Sequence, residues 1–308
     1  MLRKWFAFPA VRAAAIAVLA LALVLAVPST RALAGKLLNL FRVQQVTVLP
    51  IDSTGLESMT GDKSLGSQLS KLISDSTEVT EKPGEPVVVA NAKDASASAG
   101  FNVRLPADVT PSKIYVTGSS AFKFTVNRTK AQAFIESAGR SDLVLPNSID
   151  GAEVTVSIPA NVNATFGTCP EPQIEKPQAK TMEAPRDSYL NCVAFIQMPS
   201  PLVNAPDGVD VAQLAQIGLE FSGMTKEEAA AFTSTVDWTS TLVVPIPRNA
   251  ATYEDVSVDG VTGKLIKRTA AQYSSEYALL WIKNGIVYNI SGAGTDASRA
   301  FEIVKALP

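Results

Sequence analysis

The residue types in this sequence restrict the chemistry that its side chains can perform. The 308 residues include no histidine. This excludes Ser-His-Asp and Cys-His catalysis and removes the commonest ligand of transition metals. Serine and lysine are plentiful, but no spacing marks a Ser-Lys dyad. The sequence therefore predicts no catalytic residue and favours a binding or sensing protein over an enzyme.

The two cysteines, Cys169 and Cys192, are 23 positions apart. Two cysteines cannot complete a structural zinc site alone. The chain between them is rich in proline and charge, which is typical of a long surface insertion, here placed at residues 167–188. In an oxidising compartment a disulfide closing this loop is expected. Two unpaired buried thiols are the alternative.

The sequence lacks the usual motifs for binding calcium and nucleotides. A short acidic stretch has the wrong spacing for a calcium loop of the D-x-D-x-D-G type, so it is interpreted as a solvated loop; it contains Asp75, Glu78, Glu81 and Glu85. Neither GxGxxG nor GxxxxGK[ST] occurs. No metal site and no cofactor are predicted.

Charge is distributed unevenly along the chain. Six of the 27 basic residues precede residue 43, and none of the 29 acidic residues does, so residues 43–308 carry a net charge of −8. An acidic domain has no electrostatic reason to bind nucleic acid. Nucleic acid is therefore excluded as an expected partner.

The apolar run from Ala13 to Val27 lies in an uncharged span between Arg12 and Arg31. As a helix, residues 13–30 would cover about 27 Å, close to the hydrocarbon thickness of a bilayer. We therefore predict a cytoplasmic tail at 1–12 and a single transmembrane helix at 13–30. The N-terminus would lie inside, and the lipid bilayer is the expected partner of the helix.

A cleaved signal peptide is the alternative, with a site at Ala32-Leu33-Ala34. The next stretch favours the anchor because its apolar residues recur at helical spacing; they are Leu33, Leu37, Leu38, Leu40 and Phe41. Residues 31–86 are accordingly expected to form an amphipathic collar and a linker that includes a short helix at 64–75. Both alternatives export residues 43–308.

Residues 87–308 are predicted to be an extracytoplasmic α+β domain. Val87–Val89 is expected to be a buried strand, and residues 76–86 a loop. The alternation on either side of Gly118-Ser119 predicts that 114–117 and 122–126 pair as a hairpin.

The last third carries the clearest local signals. Thr225 and Glu228 have capping-box spacing, and Asn284-Gly285 is a strong hairpin signal. Thr295 is expected to cap a terminal helix. Four aromatic residues are candidates either to line a ligand cavity or to fill the core, and aromatic residues at strand spacing favour the core; they are Trp238, Trp281, Tyr288 and Phe301.

Two motifs resemble an uncharacterised extracytoplasmic domain family with a lipoprotein-carrier-like fold. One is the pattern W-x-x-x-G-x-x-Y-x-L-x-G, matched here by Trp281, Gly285, Tyr288, Ile290 in place of Leu, and Gly292. The other is AGF-x-V-x-x-P, matched at residues 99–106. The run RALAGKLLNLFRVQQV is similar to the region behind the transmembrane helix of anti-sigma-factor-type membrane proteins. The resemblance covers about half of the chain.

This resemblance implies a curved, mainly antiparallel, half-barrel-like sheet packed with a few short helices. It also implies that the exported domain binds an acyl chain or a peptide, or contacts a membrane signalling protein. With only about 12 residues before the membrane segment, direct binding of a sigma factor is not expected. The expected function is a membrane-anchored sensor or accessory binding module of such a system, and a lipid or lipoprotein carrier is the alternative.

Overall fold

The computed structural model describes residues 43–51, 63–169, 191–206, 208–238, 240–248, 251–268, 276–293 and 296–308. Within these ranges the chain has an α+β fold with a large antiparallel sheet and six α-helices. The strands are β1 (Gln45–Ile51), β2 (Thr77–Glu81), β3 (Val87–Val89), β4 (Lys113–Thr117), β5 (Ser120–Thr125), β6 (Glu153–Ile158), β7 (Asn161–Phe166), β8 (Cys192–Pro199), β9 (Leu202–Asn204), β10 (Thr241–Pro247), β11 (Ala251–Val258), β12 (Val261–Arg268), β13 (Glu276–Lys283) and β14 (Ile286–Ala293). The helices are α1 (Lys63–Ser76), α2 (Ala92–Ala99), α3 (Arg128–Ser137), α4 (Val211–Phe221), α5 (Lys226–Thr235) and α6 (Ser298–Lys305).

The large sheet has eight strands in the order β11-β12-β13-β14-β8-β7-β4-β3, and all of its neighbours are antiparallel. One face packs against α2, α6 and the irregular segment 101–109, and the main hydrophobic core lies between them. The helical contribution to this core includes Ala95 of α2 and Ala300 and Ile303 of α6, all fully buried. The two alanines allow the helices to approach the sheet closely.

The hairpins of this sheet follow from their turn residues. Asn284-Gly285 joins β13 to β14, and Asp259-Gly260 joins β11 to β12; all four residues have positive φ. Two-residue turns of this kind match the right-handed twist of paired strands. The predicted hairpin at Asn284-Gly285 is therefore confirmed.

A second, smaller sheet has the order β2-β5-β6-β9. Three strands of the large sheet are continuous with strands of the small one. Along the chain, β4 is followed directly by β5 and β8 by β9, and β6 of the small sheet is followed directly by β7 of the large sheet. The pairings also continue, because β4 and β8 flank β7 just as β5 and β9 flank β6. The small sheet is thus an extension of the central part of the large one.

A third layer contains the parallel pair β1 and β10. Val48 and Ile246 of this pair are buried with Ala251 of β11, whereas Leu49 is buried with Leu219 of α4 and Ala229 of α5. The predicted capping box starts α5, because Thr225 Oγ1 accepts from the Glu228 amide and the Glu228 carboxylate accepts from the Thr225 amide. The prediction of this cap is confirmed.

Three local predictions were wrong, each because pairing with distant strands decides the outcome. Residues 77–81 are not loop but β2, which pairs with β5. The strands β4 and β5 do not pair with each other as a hairpin, since each pairs with a strand of the 153–166 region. Val87 and Val88 are 58% and 59% exposed rather than buried, because β3 is the outermost strand of its sheet.

Several sequence predictions lie outside the described residues. These are the cytoplasmic tail, the segment 13–30, the collar up to residue 42, most of the insertion 167–188 and the proposed cap Thr295. Among the helices that the structure describes, none is long and apolar enough to cross a membrane.

Candidate functional site

The predicted aromatic residues are placed in different surroundings. Trp281 and Tyr288 are opposite each other on β13 and β14 and are almost fully buried. Their ring centroids are 5.1 Å apart, and the ring of Phe195 on β8 stacks 6.1 Å from each. These three rings fill the centre of the main core.

The other two aromatic candidates are only partly buried. Phe301 of α6 packs against the edge of the same core. Trp238 follows α5, where its indole Nε1 donates to the carbonyl of Thr233 at 3.3 Å. The structure therefore groups Trp281, Tyr288 and Phe301 and places Trp238 in a separate position.

A charged cluster lies beside the stacked rings, at the turn between β11 and β12. The carboxylate of Asp259 accepts from Nη1 and Nη2 of Arg104 at 2.5 and 3.1 Å and from Nζ of Lys283 at 2.7 Å. The indole Nε1 of Trp281 donates to it at 3.4 Å. The guanidinium of Arg104 also lies 5.8 Å from the ring centroid of Tyr288. This cluster links segment 101–109 to both C-terminal hairpins.

Burial and pairing act in opposite directions on the Asp259 carboxyl. Burial alone would raise its pKa, but hydrogen bonds and charge from Arg104 and Lys283 outweigh burial, so the pKa of Asp259 is lowered. The hydrogen bond with Asp259 raises the pKa of Arg104.

Segment 101–109 is also held by a buried amide. Gln197 of β8 is fully buried, and its side chain accepts from the Arg104 amide at 3.0 Å and donates to the Arg104 carbonyl at 2.7 Å. The amide of Ala107 donates to the carbonyl of Ala306. A buried polar side chain is tolerated only when its hydrogen bonds are made, so Gln197 fixes the position of this segment across the core.

The predicted disulfide is present between Cys169 and Cys192 and joins the chain after β7 to the first residue of β8. Close by is an open pocket of about 350 Å³. Its walls come from the ends of β7 and β8 and the first turns of α6; they are Phe166, Gly167, Asn191, Val193, Asp296, Ser298, Arg299 and Glu302. Arg299 is paired with Glu302 at 2.8 Å.

The acidic stretch at 75–85 does not converge on one point. Asp75 pairs with Lys130, Glu78 pairs with Lys123, and Glu81 accepts from the Ser119 hydroxyl. Within the described residues, no group of three or more acidic or cysteine side chains has metal-binding geometry.

The small sheet carries an apolar row that crosses all four of its strands. Val79 of β2 is opposite Phe122 of β5, Phe122 is opposite Val156 of β6, and Val156 is opposite Val203 of β9. We call these four residues the apolar row. Val79 and Val203, at its two ends, are 55% and 66% exposed, and the two middle residues are half-buried.

The surroundings of the apolar row are also partly apolar and exposed. Phe124, Val154 and Ile158 lie on the same face by strand alternation and are half-buried. The opposite face is polar, and Lys123 there pairs with Glu78 at 3.1 Å and with Glu153 at 3.3 Å. Further exposed apolar side chains occur nearby in the sequence, at Leu69 and Ile73 of α1 and at Leu202 of β9. None of the core clusters that the structure describes includes the apolar row.

Neither the charged cluster around Asp259 nor the apolar row was predicted from the sequence. Arg104, Asp259 and Lys283 are far apart in the chain, and no local pattern connects them. The alternation of Val154, Val156 and Ile158 did indicate an apolar strand face, but it could not indicate whether that face is covered. The Asp259-Gly260 pair was the available signal for the turn that carries the cluster.

Comparison with known proteins shows that the C-terminal part is similar to an uncharacterised domain family. The sequence model of one protein family, a domain of unknown function (DUF4367), matches residues 232–307, about a quarter of the chain. The match runs from the end of α5 through α6, and its outer strands β10 and β14 pair with β1 and β8 outside it. No curated protein and no solved structure matches the chain significantly.

Proposed function

We propose that residues 43–308 form an extracytoplasmic binding module that residues 13–30 anchor in the cytoplasmic membrane, and that this module acts as a sensor or accessory subunit rather than as an enzyme. The observation that carries the proposal is the apolar row. Apolar side chains that run across a sheet and stay exposed at both ends are typical of a contact surface. The disulfide supports the location, because such bonds persist in oxidising compartments.

Signalling through this module requires another component. A single membrane helix can transmit binding through association with a second membrane protein or through proteolysis. An anti-sigma-factor-type system provides such a component, and the resemblance in the membrane-exit run and in the C-terminal hairpin supports this assignment.

A carrier of lipid or lipoprotein is the second candidate. The continuation of β4, β7 and β8 into the small sheet favours it, because a sheet extended in this way can curve into the half-barrel of a lipoprotein-carrier-like fold. Native mass spectrometry of the detergent-extracted protein separates the two candidates. A carrier retains about one lipid per chain, whereas a sensor that contacts its ligand on an open face retains none.

Site-specific photocrosslinking tests the binding surface. The photoreactive residue p-benzoylphenylalanine is placed at Val203 or, as a matched control, at Val144, which is equally exposed at 64%. In intact membranes we expect several-fold more adduct from position 203, and we expect Val79→Asp, at the other exposed end of the row, to reduce it. Equal yields at 203 and 144 would contradict the proposal.

A further inference from the structure

The point where the N-terminal chain joins the described domain lies close to one end of the apolar row. The carbonyl of Val43 accepts from the hydroxyl of buried Ser200 at 3.2 Å, and the Gln44 amide donates to the Ser240 carbonyl at 2.7 Å. Val203 comes three residues after Ser200, so their Cα atoms are at most about 10 Å apart, and Val203 lies within roughly 15 Å of this junction.

The chain before Val43 limits how far this junction can move from the membrane. Val43 follows Val27, the last residue of the apolar run, by 16 residues. Such a tether spans at most about 55 Å. A tethered surface meets its membrane at a high effective concentration, so contacts too weak to act alone become populated.

The open shape of the apolar row helps to decide which kind of apolar partner it contacts. The apolar row lies on an open sheet face, whereas a site for a single lipid molecule encloses most of its ligand. Strand addition is disfavoured, because β9 has three residues and lies between Pro201 and Pro206, and short edges flanked by proline resist pairing. An open apolar edge beside a membrane tether fits the surface of a bilayer.

We infer that the β9 edge of the small sheet, where the apolar row ends at Val203, contacts the surface of a bilayer of zwitterionic lipid, with Leu202 and Val203 inserted among the lipids. This inference rests on the proposed anchor at 13–30. Leu202 and Val203 point to opposite sides of β9 and are 49% and 66% exposed, so both can reach lipid only at the sheet edge. The net charge of −8 on residues 43–308 repels anionic headgroups, which selects zwitterionic lipid.

Fluorescence quenching in nanodiscs tests this inference with the full chain. Both native cysteines are paired in the disulfide, so Val203→Cys introduces one reactive thiol, which is labelled with an environment-sensitive nitrobenzoxadiazole dye. Val144→Cys is the control of equal exposure. In phosphatidylcholine nanodiscs with doxyl-labelled acyl chains we expect at least three-fold stronger quenching at 203 than at 144. In discs with half phosphatidylglycerol we expect weaker quenching at 203, restored by salt.

The outcomes separate this inference from the proposed function. No quenching at 203, or equal quenching at 203 and 144, overturns the bilayer as occupant. Photocrosslinking from 203 to protein without lipid quenching also overturns it and leaves the binding module intact. If the full-length protein does not co-elute with nanodiscs, the proposed anchor at 13–30 is wrong, and the inference that depends on it is wrong as well.

Discussion

Asp259 combines three roles that a single side chain seldom has together. It takes up a positive φ in the β11–β12 turn, it accepts from two cations, and it lies against the stacked rings of the core. Its side chain is only 9% exposed, whereas the carboxylates of the surface pairs are 40% exposed or more. Removing one member of an ion pair that is shielded from water costs much more stability than removing one member of an exposed pair, because the remaining charge is left without a partner.

Replacing Asp259 with Asn is therefore expected to lower the free energy of unfolding by about 2–3 kcal/mol, because Arg104 and Lys283 lose their shared counter-charge. The matched control is Glu254→Gln, which removes the exposed partner of Lys267 and should cost less than about 0.5 kcal/mol. Urea unfolding at pH 7 measures both values. Similar losses for the two variants would refute a special role for Asp259.

Wild type and Asp259→Asn should differ in the pH dependence of their free energy of unfolding. Because the pKa of Asp259 is lowered by folding, its contribution is complete above the unfolded value of about 3.9 and is lost as the pH falls through the lower folded value. The stability difference between wild type and Asp259→Asn should stay constant from pH 8 to about pH 5 and shrink below about pH 4. A difference that grows on acidification would contradict the assigned cause.

Elements with local signals could be predicted from the sequence, and elements defined by distant pairing could not. Asn284-Gly285 and Thr225-Glu228 act within a few residues, so the hairpin and the start of α5 were foreseen. The alternation around Gly118-Ser119 is compatible both with a hairpin and with one strand passing from one sheet into another, and only β6 and β7 decide between them. For the same reason the apolar row was not predicted: its four residues meet only through the register of four strands.

Close packing between strands also explains a residue of the C-terminal motif. A Cβ added to Gly292 of β14 would lie 2.5 Å from Oη and 2.6 Å from two ring carbons of Tyr277, which is 5% exposed on the neighbouring strand. The motif therefore has glycine at position 292 because the β13–β14 hairpin leaves no room for a side chain there.

Gly292→Ala is expected to destabilise the protein by about 1–3 kcal/mol, because the Tyr277 ring must move within a filled core. Gly66→Ala is the control: it lies in α1 with nothing within 4 Å of the added carbon, and it should raise stability by up to about 1 kcal/mol. Thermal unfolding of the two variants gives the comparison. A neutral Gly292→Ala would show that the hairpin tolerates a side chain there.

At the scale of the whole molecule, the disulfide and the hydrophobic cores together stabilise residues 43–308. The bond closes the connection between β7 and β8, two central strands of the large sheet. The cysteine count and the proline-rich spacing predicted this bond, because a secreted loop of this length gains from closure. The sequence could not indicate which strands the bond would join.

Cys169→Ser with Cys192→Ser should lower the free energy of unfolding by about 3 kcal/mol, as expected for a loop of this length. Urea unfolding with and without reductant provides the measurement. The reductant should destabilise wild type by the same amount and leave the double variant unchanged. Equal stability of the oxidised wild type and the variant would contradict a stabilising role.

The partition of the chain between membrane and oxidising compartment is tested most directly by thiol alkylation in intact cells, followed by fractionation. A small, membrane-permeant maleimide that carries an alkyne reaches free thiols on both sides of the membrane. A polymer attached to the alkyne after lysis then shifts the electrophoretic mobility of every modified chain. The account predicts full-length protein in the membrane fraction, unshifted until reduction and then shifted by two adducts. Full-length protein in the soluble cytosolic fraction, with both thiols modified without reduction, would contradict it.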